Sequence, residues 1–145
     1  MNDEELALKL FLVLIRATSA ITKPLEEDIK NYGLNSTEFS VLEFLYHKGD
    51  QPIQKIGEKI LLASSSITYV VDKLEKKNLL LRQSCPNDRR VTFATLTDEG
   101  KAFVSTIFPQ HKKVMEKVMA GLGTEEKEKM IEQLKKLGKY AANEL

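Results

Sequence analysis

The chain has 145 residues, of which 42% are hydrophobic and 30% charged, and its 22 basic and 21 acidic side chains leave a net charge of +1. That length suits one compact domain, and the apolar fraction with so small a net charge excludes a disordered chain, which would combine low hydrophobicity with strong charge. A lone cysteine, Cys85, excludes an internal disulfide framework, and His47 and His111, far apart in sequence, leave no recognisable zinc spacing.

The first residues, Met1 to Glu5, are acidic and lack the positive start of a secretory signal. The longest early apolar run, Leu10 to Ile15, is far below the ~18 residues of a membrane span. A cytoplasmic protein without membrane contact, metal or cofactor is expected. A near-neutral total is silent about nucleic acid, because binding depends on where charges cluster.

From Glu4 to about Lys30, apolar residues recur at Leu6, Leu10, Val13, Leu14, Ala17, Ile21, Leu25 and Ile29, which predicts a long amphipathic helix with a kink or restart at Pro24. Tyr32-Gly33 ends it. Asn35 to Glu38 offers an N-cap with an acid three residues on, and Phe39, Val41, Leu42 and Leu45 supply the buried stripe of a second helix. Gly49 to Pro52 reads as a turn and Ile53 to Ile60 as a helix of at most three turns. Leu61-Leu62-Ala63 then breaks the pattern, and Ser64-Ser65-Ser66 opens a helix carrying Ile67, Val70, Val71 and Leu74 to about Lys77. Two short helices in succession are the outline of a helix-turn-helix. Leu79 to Ser84 and Val91 to Leu96, separated by a polar turn from Cys85 to Arg90, predict a hairpin. Thr97-Asp98-Glu99 caps a helix running to about Ala120 with a bend at Pro109, and a last helix follows from Glu125 to about Asn143.

The first turn of a helix in the major groove comes closest to base edges, so short polar side chains there reach bases. Ser64, Ser65, Ser66, Thr68 and Tyr69 hold that place. With Ile67, Val70, Val71 and Leu74 facing inward, the face left for DNA is Ser65, Ser66, Tyr69 and Lys73. From Asp72 to Arg90 there are six basic residues (Lys73, Lys76, Lys77, Arg82, Arg89, Arg90) against three acidic ones (Asp72, Glu75, Asp88), a positive stripe suited to phosphate. In Asp88-Arg89-Arg90 an acid two residues from an arginine can orient a guanidinium for a narrow minor groove. Taken singly, the serines also read as a plain helix cap and the hairpin tip as a solvated turn.

Four blocks in order are similar to those of MarR-type regulators: Leu34 to Leu42; Ser66-Ile67-Thr68 through Val71-Asp72-Lys73-Leu74-Glu75-Lys76-Lys77; Asp88-Arg89-Arg90; and Leu96-Thr97-Asp98-Glu99-Gly100. The resemblance spans essentially the whole chain. It implies a mainly α (α+β) fold, with a winged helix-turn-helix lobe over residues 34–100 and dimerisation helices over 1–33 and 101–145. It also implies a recognition helix from Ser64 to Lys73 and a minor-groove arginine, Arg90, oriented by Asp88. The expected function is that of a homodimeric transcriptional repressor on a pseudo-palindromic site in double-stranded DNA, released by a small phenolic or aromatic effector or by an oxidant. By the same resemblance Phe11, Ile15, Phe39 and Tyr46 are candidates to line an effector cleft, with core packing as the alternative for most of them. Gly57 departs from the alanine usual in the third helix.

Apolar stripes at Val114, Val118 and Leu122 and at Met130, Ile131, Leu134, Leu137 and Ala141 exceed what a small winged lobe needs for its own core, so a partner chain is expected to cover them. Cys85, at the hairpin, lies near Arg82, Arg89 and Arg90 in sequence, which could stabilise a thiolate and make it a redox site. His111 shows no partner in the sequence. No Gly-rich phosphate loop, paired histidines or nucleophile elbow is present, so an enzyme is not expected. The competing reading is a winged-helix protein-interaction module without DNA contact.

Overall fold

Asn2 and Asn35 start the first two helices by the same device. Each side chain accepts a hydrogen bond from the N–H three residues on, Glu5 or Glu38 (2.8 Å in both), and each glutamate accepts one back from the cap's own N–H (3.1 Å in both). The computed structural model describes residues 1–60 and 64–144, with Ser64 and Ser65 described by their backbone alone. Its elements run α1 (Asp3–Lys30), α2 (Ser36–Lys48), β1 (Gln51–Pro52), α3 (Ile53–Lys59), α4 (Ser64–Lys76), β2 (Leu80–Cys85), β3 (Asp88–Leu96), α5 (Asp98–Val118) and α6 (Thr124–Glu144). The expected break at Leu61-Leu62-Ala63 lies outside the described residues.

Three local readings change. α1 is one 28-residue element with Pro24 inside it, so no restart occurs there. Gln51 and Pro52, expected as a turn, form a short edge strand that pairs antiparallel with Ala94 and Phe93 in a sheet of order β1-β3-β2. An edge is where a strand tolerates proline, because one side of it needs no donor. The hairpin is also tighter than expected. Cys85 pairs directly with Asp88, so the turn shrinks to Pro86-Asn87, and Asp88, Arg89 and Arg90 belong to β3.

The core sits under the sheet between α2, α3, α4 and α5, where Val41, Leu42, Ile56, Ile67, Val71, Leu74, Leu80 and Val104 are fully buried. α4 ends on Asn78, whose positive φ of 60° lets the Leu79 N–H reach back to the Leu74 carbonyl at 3.1 Å. α5 begins against that corner. A Cβ on Gly100 would collide with the Leu79 carbonyl oxygen, so only glycine permits this approach.

His111 has partners, contrary to the sequence reading. It is buried in α5, its ring 4.4 Å from that of Phe39 and its Nδ1 3.1 Å from Asp28 Oδ2 of α1. The Tyr32 hydroxyl donates to the same carboxylate, 3.1 Å from each oxygen. Burial, then that hydrogen bond and the Asp28 charge, push the Tyr32 phenol up to about 12. These contacts lie 83 and 4 residues apart in sequence, and the long one is invisible to local pattern.

The end helices contrast with this core. Of α1 only Ile29 is buried, and α6 buries nothing. Leu6, Leu10, Phe11, Val13 and Ile15 on α1 and Met130, Ile131, Leu134, Leu137 and Tyr140 on α6 are exposed. Among the described residues no helix is long and apolar enough to cross a membrane, and no cluster of three or more His, Cys, Asp or Glu could hold a metal ion.

Candidate nucleic-acid interface

α4 divides cleanly between two faces. Ile67, Val70, Val71 and Leu74 are buried, while Ser66, Thr68, Tyr69, Asp72, Lys73 and Lys76 face solvent. Tyr69 is 62% exposed, and Lys73, one turn on, holds its Nζ 5.3 Å from the Tyr69 ring centroid, a cation-π pair that presents an aromatic edge and a charge together. The side chains of Ser64 and Ser65 lie outside the described residues.

At the wing tip Asp88 Oδ1 accepts from the Arg90 backbone N–H at 3.0 Å and from its Nε at 3.1 Å, while Nη2 lies 3.4 Å from Oδ2. The Arg90 side chain is nonetheless 92% exposed. Its guanidinium bonds, with the backbone bond second, hold the Asp88 carboxyl below its usual range. The result is a cation with a fixed direction and free surface, at a strand end.

The positive stripe is thinner than the residue count suggests. Lys77 is tied to the buried Glu38 carboxylate at 3.0 Å and to the Gly33 carbonyl at 3.2 Å, which joins the end of α4 to the start of α2. Arg82 is held by Asp72 at 2.5 Å and Glu75 at 2.6 Å, and these partners raise its pKa against the opposing cost of burial, itself the largest single influence. Among the described residues, Lys73, Lys76 and Arg89 enter no ion pair. A cleft of about 260 Å³ opens between α4 and the wing, bordered by Gln54, Thr68, Arg82, Arg90 and Thr92 among others. Gln54 and Thr92 were not singled out by sequence, and Arg82 was read as part of the phosphate-suited stripe and as a neighbour of Cys85, not as a partner of α4. For Arg82 a signal existed: Asp72 and Glu75 stand three apart on one helix face, followed by an arginine on the next strand.

The four effector candidates have different surroundings within the single chain. Phe39 is 2% exposed and packs on His111, whereas Phe11 and Ile15 stand on the open face of α1. Tyr46 lines a separate cavity of about 510 Å³ between α2 and α5, beside Leu96, Lys101 and Ser105. Cys85 is half-buried, and two of the three arginines near it in sequence are already engaged by carboxylates, Arg82 by Asp72 and Glu75 and Arg90 by Asp88.

Comparison with known proteins agrees with this architecture. The MarR family model matches residues 34–92. The chain is 54% identical over 134 residues to the HTH-type transcriptional regulator MhqR of Bacillus subtilis, covering 92% of each chain. Its fold matches Sco3205, a MarR family transcriptional regulator from Streptomyces coelicolor solved in complex with DNA (TM-score 0.85, 20% identity, 99% of this chain and 90% of that one). It also matches Bordetella bronchiseptica BpsR, solved in a study of how 6-hydroxynicotinic acid regulates its DNA binding (TM-score 0.80, 23% identity, 90% of this chain and 98% of that one). Relatedness over nearly the full length, the match to the family model and the shared winged fold together place the chain in the MarR family of DNA-binding transcriptional regulators.

Proposed function

We propose that this chain represses transcription as a homodimer on a pseudo-palindromic operator and leaves it when a small aromatic ligand changes the spacing of the two reading helices. The observation that carries the DNA contact is Arg90, oriented by Asp88 yet almost wholly exposed, bordering the same cleft as Thr68 of α4. Ser64, Ser65, Ser66, Thr68, Tyr69 and Lys73 then read the major groove, Arg90 enters the adjacent minor groove, and Arg89 meets phosphate.

The dimer is supported by the apolar side chains that α1 and α6 leave in solvent. A two-fold axis through such helices sets the reading helices about 34 Å apart, one turn of DNA. The regulation of BpsR by 6-hydroxynicotinic acid supports an aromatic effector here. The ligand acts through unequal affinity for two dimer shapes, since one that bound both equally would shift nothing. Oxidant release is the other route, and it would pass through Cys85 on the wing.

Selection of bound duplex from a random pool at a stated moderate salt tests the reading. An enriched inverted repeat with half-sites about one turn apart is the expected result. An intact dimer that enriches nothing defeats it.

A further inference from the structure

We propose that Arg82 is a positioning residue that clamps the reading helix to the wing, so that both meet the duplex at one fixed angle. This rests on the proposed DNA reading and adds a part to it.

The guanidinium bridges two elements. It projects from β2, and its Nη2 reaches Asp72 Oδ1 at 2.5 Å and the Thr68 carbonyl at 3.5 Å, while Nη1 donates to Glu75 Oε1 at 2.6 Å. The Arg82 backbone N–H donates to the other Glu75 oxygen at 3.3 Å. Thr68, Asp72 and Glu75 are spaced four and three residues apart on one face of α4, so successive turns of the helix converge on one guanidinium. A planar fork held by acceptors from successive turns resists both sliding and rotation of the helix, which a single lysine charge would not.

The location suits that role. Leu79 and Leu80, at the base of β2, are buried and fix the hinge, with Leu80 paired to Leu96. Arg82 pairs with Ala94 farther out, and the tip at Cys85 lies three residues beyond, roughly 10 Å at about 3.4 Å per strand residue. The clamp ties the outer wing, which carries Arg90, directly to α4 at a point beyond the hinge. Arg82 also offsets Asp72 and Glu75, two carboxylates on the helix that must approach phosphate. With its side chain 28% exposed and both terminal nitrogens engaged, it acts through α4.

The test is a double-mutant cycle read by fluorescence anisotropy on the intact dimer, with the selected inverted-repeat duplex and an unrelated duplex as probes. Arg82→Gln is expected to weaken operator binding about tenfold and to lower the ratio of operator to unrelated affinity, a ratio that mere loss of folded protein leaves unmoved. Asp72→Asn with Glu75→Gln breaks the same clamp, so adding Arg82→Gln to it is expected to cost no more than about twofold further, the usual limit of additive behaviour. Full additivity would mean that Arg82 touches DNA directly and would overturn the proposal. Arg82→Lys keeps the charge but loses the fork. It is expected to lower the operator ratio too, and full retention of that ratio overturns the clamp even where Arg82→Gln fails to fold. Arg90→Ala separates the two ideas: if it weakens binding while Arg82→Gln does not, the clamp alone falls, and if neither weakens binding the DNA reading falls with it.

Discussion

The winged lobe and the end helices α1 and α6 use the same apolar residue types and treat them oppositely. In the lobe Leu42, Ile56, Leu74 and Leu80 are sealed from water by their own chain, whereas Leu10, Ile131 and Leu134 on α1 and α6 keep two-fifths or more of their surface in solvent. Both regions show three-to-four periodicity. That period states that a helix has an apolar face, and it is silent on whether the same chain or another covers it.

Core truncation gives the largest expected effect. Leu42→Ala removes a side chain with no exposed surface and should cost about 2–5 kcal/mol of stability, because the lost transfer energy adds to that of the cavity left behind. Urea denaturation measures it, and a cost below about 1 kcal/mol would show a lobe that repacks freely. Ile131→Glu combined with Leu134→Glu should behave in the opposite way, leaving the lobe folded while converting dimer to monomer in sedimentation. Operator affinity should fall about 100-fold as the two half-sites lose their linkage. A double variant that remains dimeric would remove α6 from the interface and erase the contrast.

Within the proposed DNA face, Arg90→Ala should weaken operator binding about tenfold and reduce the slope of log affinity against log salt by about one, at little cost to folding because the side chain is solvated. Salt-titrated anisotropy reads both. An unchanged slope with unchanged affinity would remove the wing from the interface. Asp88→Asn should cost less, since the arginine remains and only its orientation is lost.

These contrasts explain what the sequence made legible. Amphipathic helices, the serine-rich start of α4 and the wing hairpin follow from local spacing, and the Asp88-Arg90 contact spans two residues, so all could be read in one dimension. β1 could not, because Gln51 and Pro52 become a strand only when β3 supplies a partner 40 and more residues away. Nor could the fate of the basic stripe: Lys77 is captured by Glu38 across 39 residues, and a glutamate that looks like a simple cap proves to be an ion-pair partner as well. His111 is the same lesson at 83 residues. Charge counts along a chain overstate free charge wherever folding brings acids back to bases.

The junction between the two regions offers a smaller test. Tyr32→Phe removes the phenol that donates to Asp28 and should cost about 1 kcal/mol near neutral pH, the scale of one hydrogen bond. Folding raises the phenol's pKa from 10.0 to about 12, so the folded state favours the neutral form. Its contribution is therefore complete below pH 10 and is lost as pH rises through about 12. In a base titration of tyrosinate absorbance, one of the four tyrosines should lag, and the lag should be absent from the variant. A single shared transition in both would show that the phenol is open to water.

Cys85→Ser should have the smallest effect, leaving operator affinity unchanged, because the half-buried thiol makes its place through backbone pairing with Asp88 that serine keeps. Its value lies in dividing the two release routes. Cationic neighbours activate a thiol by favouring the thiolate, but Arg82 and Arg90 are each held by carboxylates, which leaves Arg89 as the wing's uncommitted guanidinium. If peroxide still releases the serine variant from its operator, a thiol switch at the wing is eliminated. If release by peroxide is lost while release by an aromatic ligand persists, the wing and the end helices carry separate signals to the same reading helix.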